Sequence, residues 1–315
     1  MSSKILKGQI LYGINNIYTV SVDSKLYECR IKGKVFKQAD GLYNPLTTGD
    51  IVDIEPDSIS SKHASILSLH ERKNVFTRWN KKRMSTQLIA ANIDILFAIT
   101  TPDEPPFRPR FIDRLLLSEE ENFEKIIILN KSDLSIPAGV KERIDDYNRI
   151  GIKVITASCV TLEGIEEIKK LLEGKVCVFA GQSGVGKSTL LNIIFGNEIQ
   201  KTGEISYKYS RGRHVTNYSI LMQYKENGGI IDTPGIREIF IHKTEPEKLA
   251  FMFTEFREFI KQCEFTGCSH IEEIKCGVKD AVEKGLIHED RYRSYYRLYQ
   301  EMTELSEEIY GCPYA

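Results

Sequence analysis

The sequence predicts a multidomain protein in which an all-β barrel, a central α/β domain and a mainly helical C-terminal domain follow one another. Short alternating runs separated by turn residues fill residues 1–70, and apolar strand-like runs alternate with helical patterns from residue 92 onwards. Three cysteines and a histidine then lie close together beyond residue 244. With 315 residues, 41% of them hydrophobic, the chain is long enough to fill a core in each segment.

Residues 1–70 are predicted to form a small closed barrel. The runs 17–22, 26–31 and 50–54 alternate between apolar and polar residues, and clusters of turn residues separate them. Short strands at this spacing favour a five-stranded barrel of the OB type over an open sheet. Such barrels often bind nucleic acids, but a purely structural barrel is the alternative, because the basic and acidic residues of this segment nearly balance.

A basic stretch follows at residues 71–91, which we interpret as a basic linker. Its charged and aromatic side chains are Arg72, Lys73, Phe76, Arg78, Trp79, Lys81, Lys82 and Arg83. Phosphate contacts combined with stacking rings would suit RNA binding. A solvated connection between domains fits the charges equally well.

Overall composition excludes several classes of protein. The formal net charge of −1 argues against a uniformly basic nucleic-acid coat, so RNA binding would have to use local patches. No apolar run approaches the roughly 18 residues of a membrane helix, and residues 1–14 do not resemble a signal peptide, so we expect a cytoplasmic protein without membrane contact. Four of the seven cysteines are scattered singly, as reduced thiols are: Cys29, Cys159, Cys177 and Cys312.

Residues 92–243 have the pattern of a parallel α/β domain. Five strand-like runs occur at 93–99, 125–129, 152–155, 175–180 and 229–231. Helical patterns lie between them; in residues 163–172, for example, one face carries Ile165, Ile168, Leu171 and Leu172. Continuous apolar strands are typical of a parallel sheet that is covered on both faces.

The motif GQSGVGKS at residues 181–188 lies between a predicted strand and a predicted helix, which is the setting of a phosphate-binding loop. Its glycines allow backbone N–H groups to converge on phosphate oxygens at the positive end of the helix. Lys187 is predicted to reach the β- and γ-phosphates and Ser188 to hold Mg²⁺. The predicted phosphate-binding residues are Gly181, Gln182, Ser183, Gly184, Val185, Gly186, Lys187, Ser188 and Thr189. A glycine-rich turn that binds nothing is the alternative, which the next two motifs disfavour.

The motif NKSD at residues 130–133 follows the predicted strand 125–129 and indicates guanine. The carboxylate of Asp133 can accept hydrogen bonds from N1–H and the exocyclic amine of guanine, whereas adenine has no matching donors. Asn130 would tie the surrounding loops together, and Lys131 belongs to the same nucleotide-binding segment. Backbone N–H groups of Ala157 and Ser158 could bind guanine O6. An ATP-using enzyme such as a kinase is a second interpretation, which Asp133 disfavours.

A third motif, DTPG at residues 232–235, predicts a nucleotide-dependent switch. Asp232 can hold Mg²⁺ through water and the Gly235 N–H can sense the γ-phosphate, while Thr216 is the candidate hydroxyl that closes over Mg²⁺. In ordinary small GTPases the phosphate loop precedes the other motifs, whereas here NKSD comes first. The central domain is therefore predicted to be a circularly permuted P-loop GTPase domain that ends just after its switch, and residues 244–315 follow directly.

The C-terminal segment contains the pattern Cys-x₄-Cys-x-His-x₅-Cys, formed by Cys263, Cys268, His270 and Cys276. Three thiolates and an imidazole would make a closed tetrahedral zinc site that stabilises a domain with an otherwise thin core. Four unrelated residues in a helical domain are the alternative. An aromatic and basic run follows: Arg291, Tyr292, Arg293, Tyr295, Tyr296, Arg297 and Tyr299. We expect its tyrosines to pack in a helix and some of its arginines to contact RNA.

Together, the barrel, NKSD, GQSGVGKS, DTPG and the cysteine pattern resemble the RsgA (YjeQ/YloQ) family, the circularly permuted GTPases of small ribosomal subunit assembly. The resemblance implies a GTP hydrolase that binds GTP with Mg²⁺, carries one zinc ion, and is stimulated by the small (30S) ribosomal subunit and its rRNA. Nothing in the sequence demands more than a monomer, which is the state that we expect. It also implies that the barrel and the zinc domain contact RNA. The alternative is an RNA-binding module that uses guanine nucleotide only as a ligand.

The resemblance also implies a catalytic histidine. Ras-like proteins place a glutamine after DxxG to orient the attacking water, but Ile236 occupies that position here. His214, in the sequence Gly-Arg-His at residues 212–214, matches the family's substitute and has suitable acid–base chemistry. The expected catalytic residues are therefore His214, Lys187 and Thr216.

Overall fold

The protein is described by a computed structural model that covers residues 5–33, 45–58, 60, 62–80, 85–117, 122–196, 218–225, 228–233 and 245–310, with the backbone alone at 79–80 and 306–310. His214, Thr216 and Gly235 lie outside the described residues. Within these stretches, no helix combines the length and the apolar character that a bilayer crossing requires.

The N-terminal segment is a closed five-stranded barrel. Its strands are β1 (Leu6–Ile14), β2 (Ile17–Val22), β3 (Lys25–Ile31), β4 (Ile51–Pro56) and β5 (His63–Leu69). They close in the order β1-β2-β3-β5-β4, with β3 and β5 parallel and the other pairs antiparallel. The side chains of Ile10, Val20, Val52, Ile54 and Ile66 fill the interior and are fully buried. The predicted OB-type barrel is confirmed.

Two tight hairpins set the register of the first three strands. The β1–β2 turn consists of Asn15 and Asn16, with φ of 50° and 63°, and the β2–β3 turn consists of Asp23 and Ser24, with φ of 46° and 66°. Two consecutive left-handed residues match the right-handed twist of the flanking strands, and Asn and Asp tolerate this conformation better than most residues. The turn clusters seen in the sequence are therefore two-residue hairpin turns.

The basic stretch at 71–91 contains an antiparallel hairpin of β6 (Val75–Asn80) and β7 (Ser85–Ala91). Phe76 is 1% exposed and packs in the core of the central domain, so its ring is unavailable for stacking on RNA. Arg72 donates to both carboxylate oxygens of Asp50, at 2.7 and 2.8 Å, and to the Pro45 carbonyl. These two members of the predicted RNA-binding stretch are therefore structural residues.

The central domain consists of a six-stranded sheet and the helices that pack on it. Its elements are β8 (Ile95–Thr100), α1 (Pro109–Leu116), β9 (Glu124–Asn130), α2 (Ala138–Arg149), β10 (Lys153–Ala157), α3 (Ile165–Leu172), β11 (Val176–Gly181), α4 (Lys187–Phe195), β12 (Ile220–Tyr224) and β13 (Gly228–Asp232). The strand order is β10-β9-β8-β11-β13-β12, parallel except that β12 runs antiparallel to β13. One apolar cluster covers each face. The doubly covered parallel sheet is confirmed, and β12 is an addition to the predicted strands.

The C-terminal segment is mainly helical, as predicted. Two 3₁₀ turns lie at Pro246–Lys248 and Thr254–Phe256. The helices are α5 (Leu249–Met252), which lies between these turns, α6 (Arg257–Ile260), α7 (Gly277–Glu283) and α8 (Glu289–Tyr310). Phe253, Phe256 and Tyr295 form an aromatic cluster with ring centroids 4.9 to 5.5 Å apart. The expectation of a thin core is wrong, because this cluster continues into a larger set of buried apolar side chains.

A buried ionic cluster fastens the C-terminal segment to the central domain. Asp113 of α1 is fully buried and accepts from Arg291 of α8 at 2.6 Å, from Arg143 of α2 at 3.1 Å and from the Tyr147 hydroxyl at 2.6 Å. Arg291 also donates to Glu255 at 2.6 Å. Burial by itself would raise the pKa of Asp113, but the two guanidinium groups hold it below its ordinary value. Arg291 belongs to the run in which some arginines were expected to contact RNA, but it is a buried structural residue.

Replacing Asp113 by Asn should strongly destabilise the protein, because Arg143 and Arg291 would stay buried and lose the carboxylate that they share. Arg291 would keep only Glu255 as a close partner, and Arg143 would keep Asp146. We expect a loss of about 3–5 kcal/mol in the free energy of unfolding, measured at pH 7 by urea denaturation with circular dichroism. Since the folded-state pKa of Asp113 is lowered, its contribution is present above its ordinary pKa and is lost as the pH falls. The difference from wild type should therefore narrow below about pH 4.

The matched control is Asp145→Asn, at an exposed position of α2. It should change the free energy of unfolding by no more than about 0.5 kcal/mol. Equal effects of the two substitutions would contradict a special role for the buried cluster.

Candidate nucleotide-binding site and metal centre

The loop at 181–188 has a backbone that its glycines make possible. Gly184 and Gly186 have φ of 87° and 89°, in the left-handed region that disfavours other residues. A Cβ on Gly186 would lie 2.4 Å from Asn130 Nδ2, and one on Gly181 would lie 2.5 Å from the Ile99 carbonyl oxygen. The loop ends at Lys187, where α4 begins, so the positive end of this helix faces the space that the loop encloses.

Lys187 lies across the loop. Its ammonium donates to the carbonyl oxygens of Gly181 and Gln182, at 2.6 and 2.9 Å. Burial lowers the pKa of Lys187 below its ordinary value, and the neighbouring carboxylate of Asp232 acts in the opposite direction. A partly desolvated ammonium held by two backbone carbonyls is suited to pairing with an anion.

Asp232 lies beside the phosphate loop because its strand, β13, pairs with the strand that leads into the loop. The register places Asp232 opposite Phe179 of β11. The next residue, Thr233, donates its hydroxyl to the Phe179 carbonyl at 2.9 Å. Two strands therefore deliver a carboxylate and a phosphate-binding loop to the same edge of the sheet, together with Ser188 and Thr189 in the first turn of α4.

Asn130 connects the NKSD segment to the phosphate loop. It is 1% exposed at the end of β9, and its side-chain amide donates to the Val185 carbonyl at 2.8 Å. Lys131 follows with φ of 61°, and its ammonium donates to the Glu104 carbonyl at 2.5 Å. Pro105 of the same loop would lie 3.6 Å from a Cβ on Gly184. The proline-rich loop after β8 thus adjoins both motifs, which no sequence motif indicated.

Asp133 is oriented by the segment that follows β10. The Ser158 hydroxyl donates to Asp133 Oδ1 at 2.5 Å and accepts from the backbone N–H groups of Val160 and Thr161 at 3.0 and 3.1 Å. The Ala157 carbonyl accepts from the Ser132 N–H at 3.0 Å. Both segments that were predicted to surround the base are therefore joined, and the carboxylate at 133 is exposed towards solvent.

The structure brings together every predicted nucleotide-site residue that it describes, at the carboxyl edge of the parallel strands. They are Asn130, Lys131, Asp133, Ala157, Ser158, Asp232 and the phosphate-loop residues 181–189. In chain order, the NKSD segment precedes the phosphate loop, which precedes Asp232, so the order of motifs is permuted relative to ordinary small GTPases.

The C-terminal cluster has the geometry of a metal site. The ligand atoms of Cys263, Cys268, His270 and Cys276 all lie within 4.8 Å of one another. His270 Nδ1 is 3.5 Å from Cys263 Sγ and 3.3 Å from Cys276 Sγ. Ligands of a tetrahedral ion bound by sulfur and nitrogen are separated by about 3.6 Å, so this donor set fits such an ion.

The surrounding groups hold the cluster in place. The Tyr292 hydroxyl donates to the His270 carbonyl at 2.7 Å and the Tyr295 hydroxyl donates to the Ser269 carbonyl at 2.5 Å. Cys276 caps α7, where its sulfur accepts from the Lys279 N–H at 3.5 Å. Hydrogen bonds of this kind orient metal ligands, and they come here from α7 and α8. The cluster could therefore hold a metal ion.

Comparison with known proteins agrees with this architecture. The family model described as RsgA GTPase matches residues 69–242, and the RsgA N-terminal domain model matches residues 7–63. The chain belongs to the RsgA GTPase family. The small ribosomal subunit biogenesis GTPase RsgA of Borreliella burgdorferi (strain ZS7) is 40% identical over 300 residues, which are 94% of this chain and 96% of the relative. This family member is therefore a GTP hydrolase.

Two solved structures are similar over nearly the whole chain. The crystal structure of YjeQ from Thermotoga maritima has a TM-score of 0.73 and 30% identity, and covers 95% of this chain and 99% of its own. YloQ, described as a circularly permuted GTPase, has a TM-score of 0.68 and 27% identity over 96% of each chain. The predicted family and the permuted domain are confirmed.

Removing the side chain of Asn130 tests the connection between the two nucleotide motifs. In Asn130→Ala the buried Val185 carbonyl loses its donor, so we expect a destabilisation of about 1–3 kcal/mol. We also expect GDP to bind about tenfold more weakly, because the two loops are no longer held together. Titration with a fluorescent GDP analogue measures the second effect. Asn148→Ala, at an exposed position of α2, is the control, and equal GDP affinities in the two variants would contradict the assignment.

Proposed function

We propose that this GTPase binds the small ribosomal subunit through its rRNA and assists late maturation, hydrolysing GTP to GDP and phosphate faster on the particle than when free. The observation that carries the proposal is the match over 94% of the chain to a relative named small ribosomal subunit biogenesis GTPase. The closed barrel, the permuted domain and the Cys/His cluster are all present, which supports transfer of the whole activity rather than of one domain.

The nucleotide would bind at the carboxyl edge of the sheet. Asp133, held by Ser158, would accept hydrogen bonds from guanine, and the backbone N–H of Ala157 would approach O6. The N–H of Ser158, the other predicted donor to O6, is already bonded to the Glu163 carbonyl at 3.1 Å. Lys187 would exchange the carbonyls of Gly181 and Gln182 for the β- and γ-phosphates. When bound, Mg²⁺ would neutralise charge on these phosphates, and Ser188 and Asp232 are the described residues that would hold it.

Three further residues complete the proposed site from outside the described stretches. Thr216 would add a hydroxyl to Mg²⁺, and the Gly235 N–H would contact the γ-phosphate. His214 would orient the attacking water, because Ile236 cannot. General acid–base groups of this kind typically contribute about 10²- to 10⁴-fold to a rate.

Contacts between the barrel segment and the two residues just before β12 support stimulation by a bound particle. Ser219 accepts a hydrogen bond from the Thr48 hydroxyl at 2.9 Å, and the rings of Tyr218 and Tyr12 are 6.0 Å apart. Tyr218 and Ser219 follow Thr216 within three positions. A shift of the barrel on RNA would therefore reach the segment that carries His214 and Thr216.

For the Cys/His cluster, the proposed ion is one structural Zn²⁺ bound by Cys263, Cys268, His270 and Cys276. Three sulfurs and one imidazole leave no open position for water, so a stabilising role is favoured over catalysis. The proposed functional units are residues 1–70, 71–91, 92–243 and 244–315, acting as a monomer in the cytoplasm. In α8, the exposed Arg293 and Arg297 are the candidates for RNA contact.

The deciding experiment measures GTP hydrolysis by the protein alone, with isolated small subunits, and with large subunits. We expect stimulation of about tenfold or more by the small subunit alone, which corresponds to about 1.4 kcal/mol of barrier. Equal rates under all three conditions would contradict the proposal and would favour a module that uses guanine nucleotide only as a ligand.

Variants separate binding from turnover in the same assay. Lys187→Ala should abolish GTP binding, while Lys225→Ala, an exposed lysine at the opposite edge of the sheet, should behave as wild type. His214→Ala should bind GTP normally and lose most of the stimulated rate. A fully stimulated His214→Ala enzyme would remove this histidine from the mechanism.

Metal analysis tests the proposed zinc site. We expect about one zinc per chain by inductively coupled plasma mass spectrometry, and its loss in Cys276→Ser, with a lower melting temperature of the C-terminal segment. Cys159→Ser, which changes a partly buried cysteine of the central domain, should keep its zinc. A zinc-free wild-type protein with full stability would show that the cluster is four reduced side chains without an ion.

A further inference from the structure

Glu163 lies in the connection between β10 and α3 and belongs to none of the nucleotide motifs. Its carboxylate accepts a hydrogen bond from the Ser132 hydroxyl at 2.8 Å and another from the Thr156 hydroxyl at 3.3 Å. Its backbone carbonyl accepts from the Ser158 N–H at 3.1 Å. One residue therefore contacts both segments that meet at Asp133.

The two hydrogen-bonded serines are the neighbours that place the Asp133 carboxylate. Ser132 directly precedes Asp133 in the chain, and its N–H is bound to the Ala157 carbonyl at 3.0 Å. Ser158 donates its hydroxyl to Asp133 Oδ1. Glu163 holds the first serine through its side chain and the second through its backbone, so it constrains Asp133 from two directions.

Local backbone geometry brings Glu163 close enough to make these contacts. Gly164, which follows it, has φ of 71°, and a Cβ there would lie 2.1 Å from the Thr156 carbonyl oxygen. On the other side, Lys131 has φ of 61°, which turns the chain so that the Ser132 hydroxyl points to Glu163. Both turns bring the 130–133 and 156–158 segments close together beside the Asp133 carboxylate.

We propose that Glu163 is a positioning residue for base recognition: it holds the 130–133 and 156–158 segments together so that the Asp133 carboxylate meets the guanine N1–H and exocyclic amine. The proposal rests on the proposed assignment of Asp133 to guanine. A carboxylate that accepts from hydroxyl groups makes charge-assisted hydrogen bonds, which are stronger than bonds between neutral groups. Two hydrogen bonds to a base edge require a fixed carboxylate orientation. Loosening the segment should therefore weaken the bond to the exocyclic amine before the bond to N1–H.

Inosine diphosphate makes this effect measurable, because hypoxanthine has the N1–H of guanine but lacks its exocyclic amine. The ratio of the GDP and IDP affinities reports how well Asp133 is oriented towards the amine. A general loss of folding or of phosphate binding would lower both affinities together and leave the ratio unchanged.

The experiment measures the dissociation constants of GDP and IDP for the full-length protein and its variants. In Glu163→Ala we expect GDP affinity to fall about fivefold to tenfold while IDP affinity changes less than about twofold, so the ratio falls. Ser132→Ala should lower the ratio in the same direction. The double variant should add little to either single one, because both changes break the same hydrogen bond.

Two variants make the test specific. Glu163→Gln keeps an oxygen that can accept from the Ser132 hydroxyl and adds an amide N–H that can donate to a hydroxyl oxygen. This variant should therefore keep most of the wild-type ratio of GDP to IDP affinity. Glu166→Ala removes a nearby exposed carboxylate that is paired with Lys169 instead, and it should leave both affinities unchanged.

The outcomes separate this proposal from the one on which it rests. Wild type that binds GDP and IDP equally would overturn the guanine assignment of Asp133. Wild type that discriminates, together with an unchanged ratio in Glu163→Ala and Ser132→Ala, would overturn only the role of Glu163. Equal losses of GDP and IDP affinity in Glu163→Ala would show that Glu163 only stabilises the fold, and this result would also overturn its proposed role.

Discussion

The parallel pairing of β9, β8, β11 and β13 is the constraint on which the site depends. Parallel strands end at a common edge, whatever order the chain visits them in. β9 delivers Asn130, β11 delivers the phosphate loop and β13 delivers Asp232 to that edge. The hydrogen bond from Asn130 to the Val185 carbonyl then joins two of these segments directly. A permuted chain can therefore build an ordinary nucleotide site, since pairing and not chain order sets the geometry.

Connections between the domains are as specific as the site itself. The motif order places the C-terminal segment directly after the switch, so chain order alone would suggest a domain carried by that element. The contacts of Asp113 argue against this expectation. Asp113 of α1 accepts from Arg291 of α8 and from Arg143 of α2, so α8 is connected to both helices. The metal cluster rests on the same helix through Tyr292 and Tyr295. The C-terminal domain is thus anchored to α1 and α2 of the central domain.

Much of the fold and most of the described site could be predicted because the signals are local. Continuous apolar runs predict buried parallel strands, and glycines next to a lysine predict a phosphate loop. The hairpin at 71–91 was not predicted, because its basic residues dominate the pattern and hide the burial of Phe76. The partners of Arg291 could not be read from the sequence either, since Asp113 is 178 positions away. Glu163 carries no motif, and only the contacts with Ser132 and Thr156 distinguish it from other exposed glutamates.

The position of the barrel has a further consequence for how the molecule avoids self-association. Among the strands that the structure describes, β12 is the outermost of the central sheet on one side, and an uncovered edge strand is a template for pairing with another chain. Here the barrel lies against it: the Thr48 hydroxyl bonds to the Ser219 carbonyl just before β12, and the Gln223 side chain bonds to Ser21 at 3.2 Å. The barrel thus acts as a cover for this edge, and a central domain separated from it would be prone to aggregate through β12.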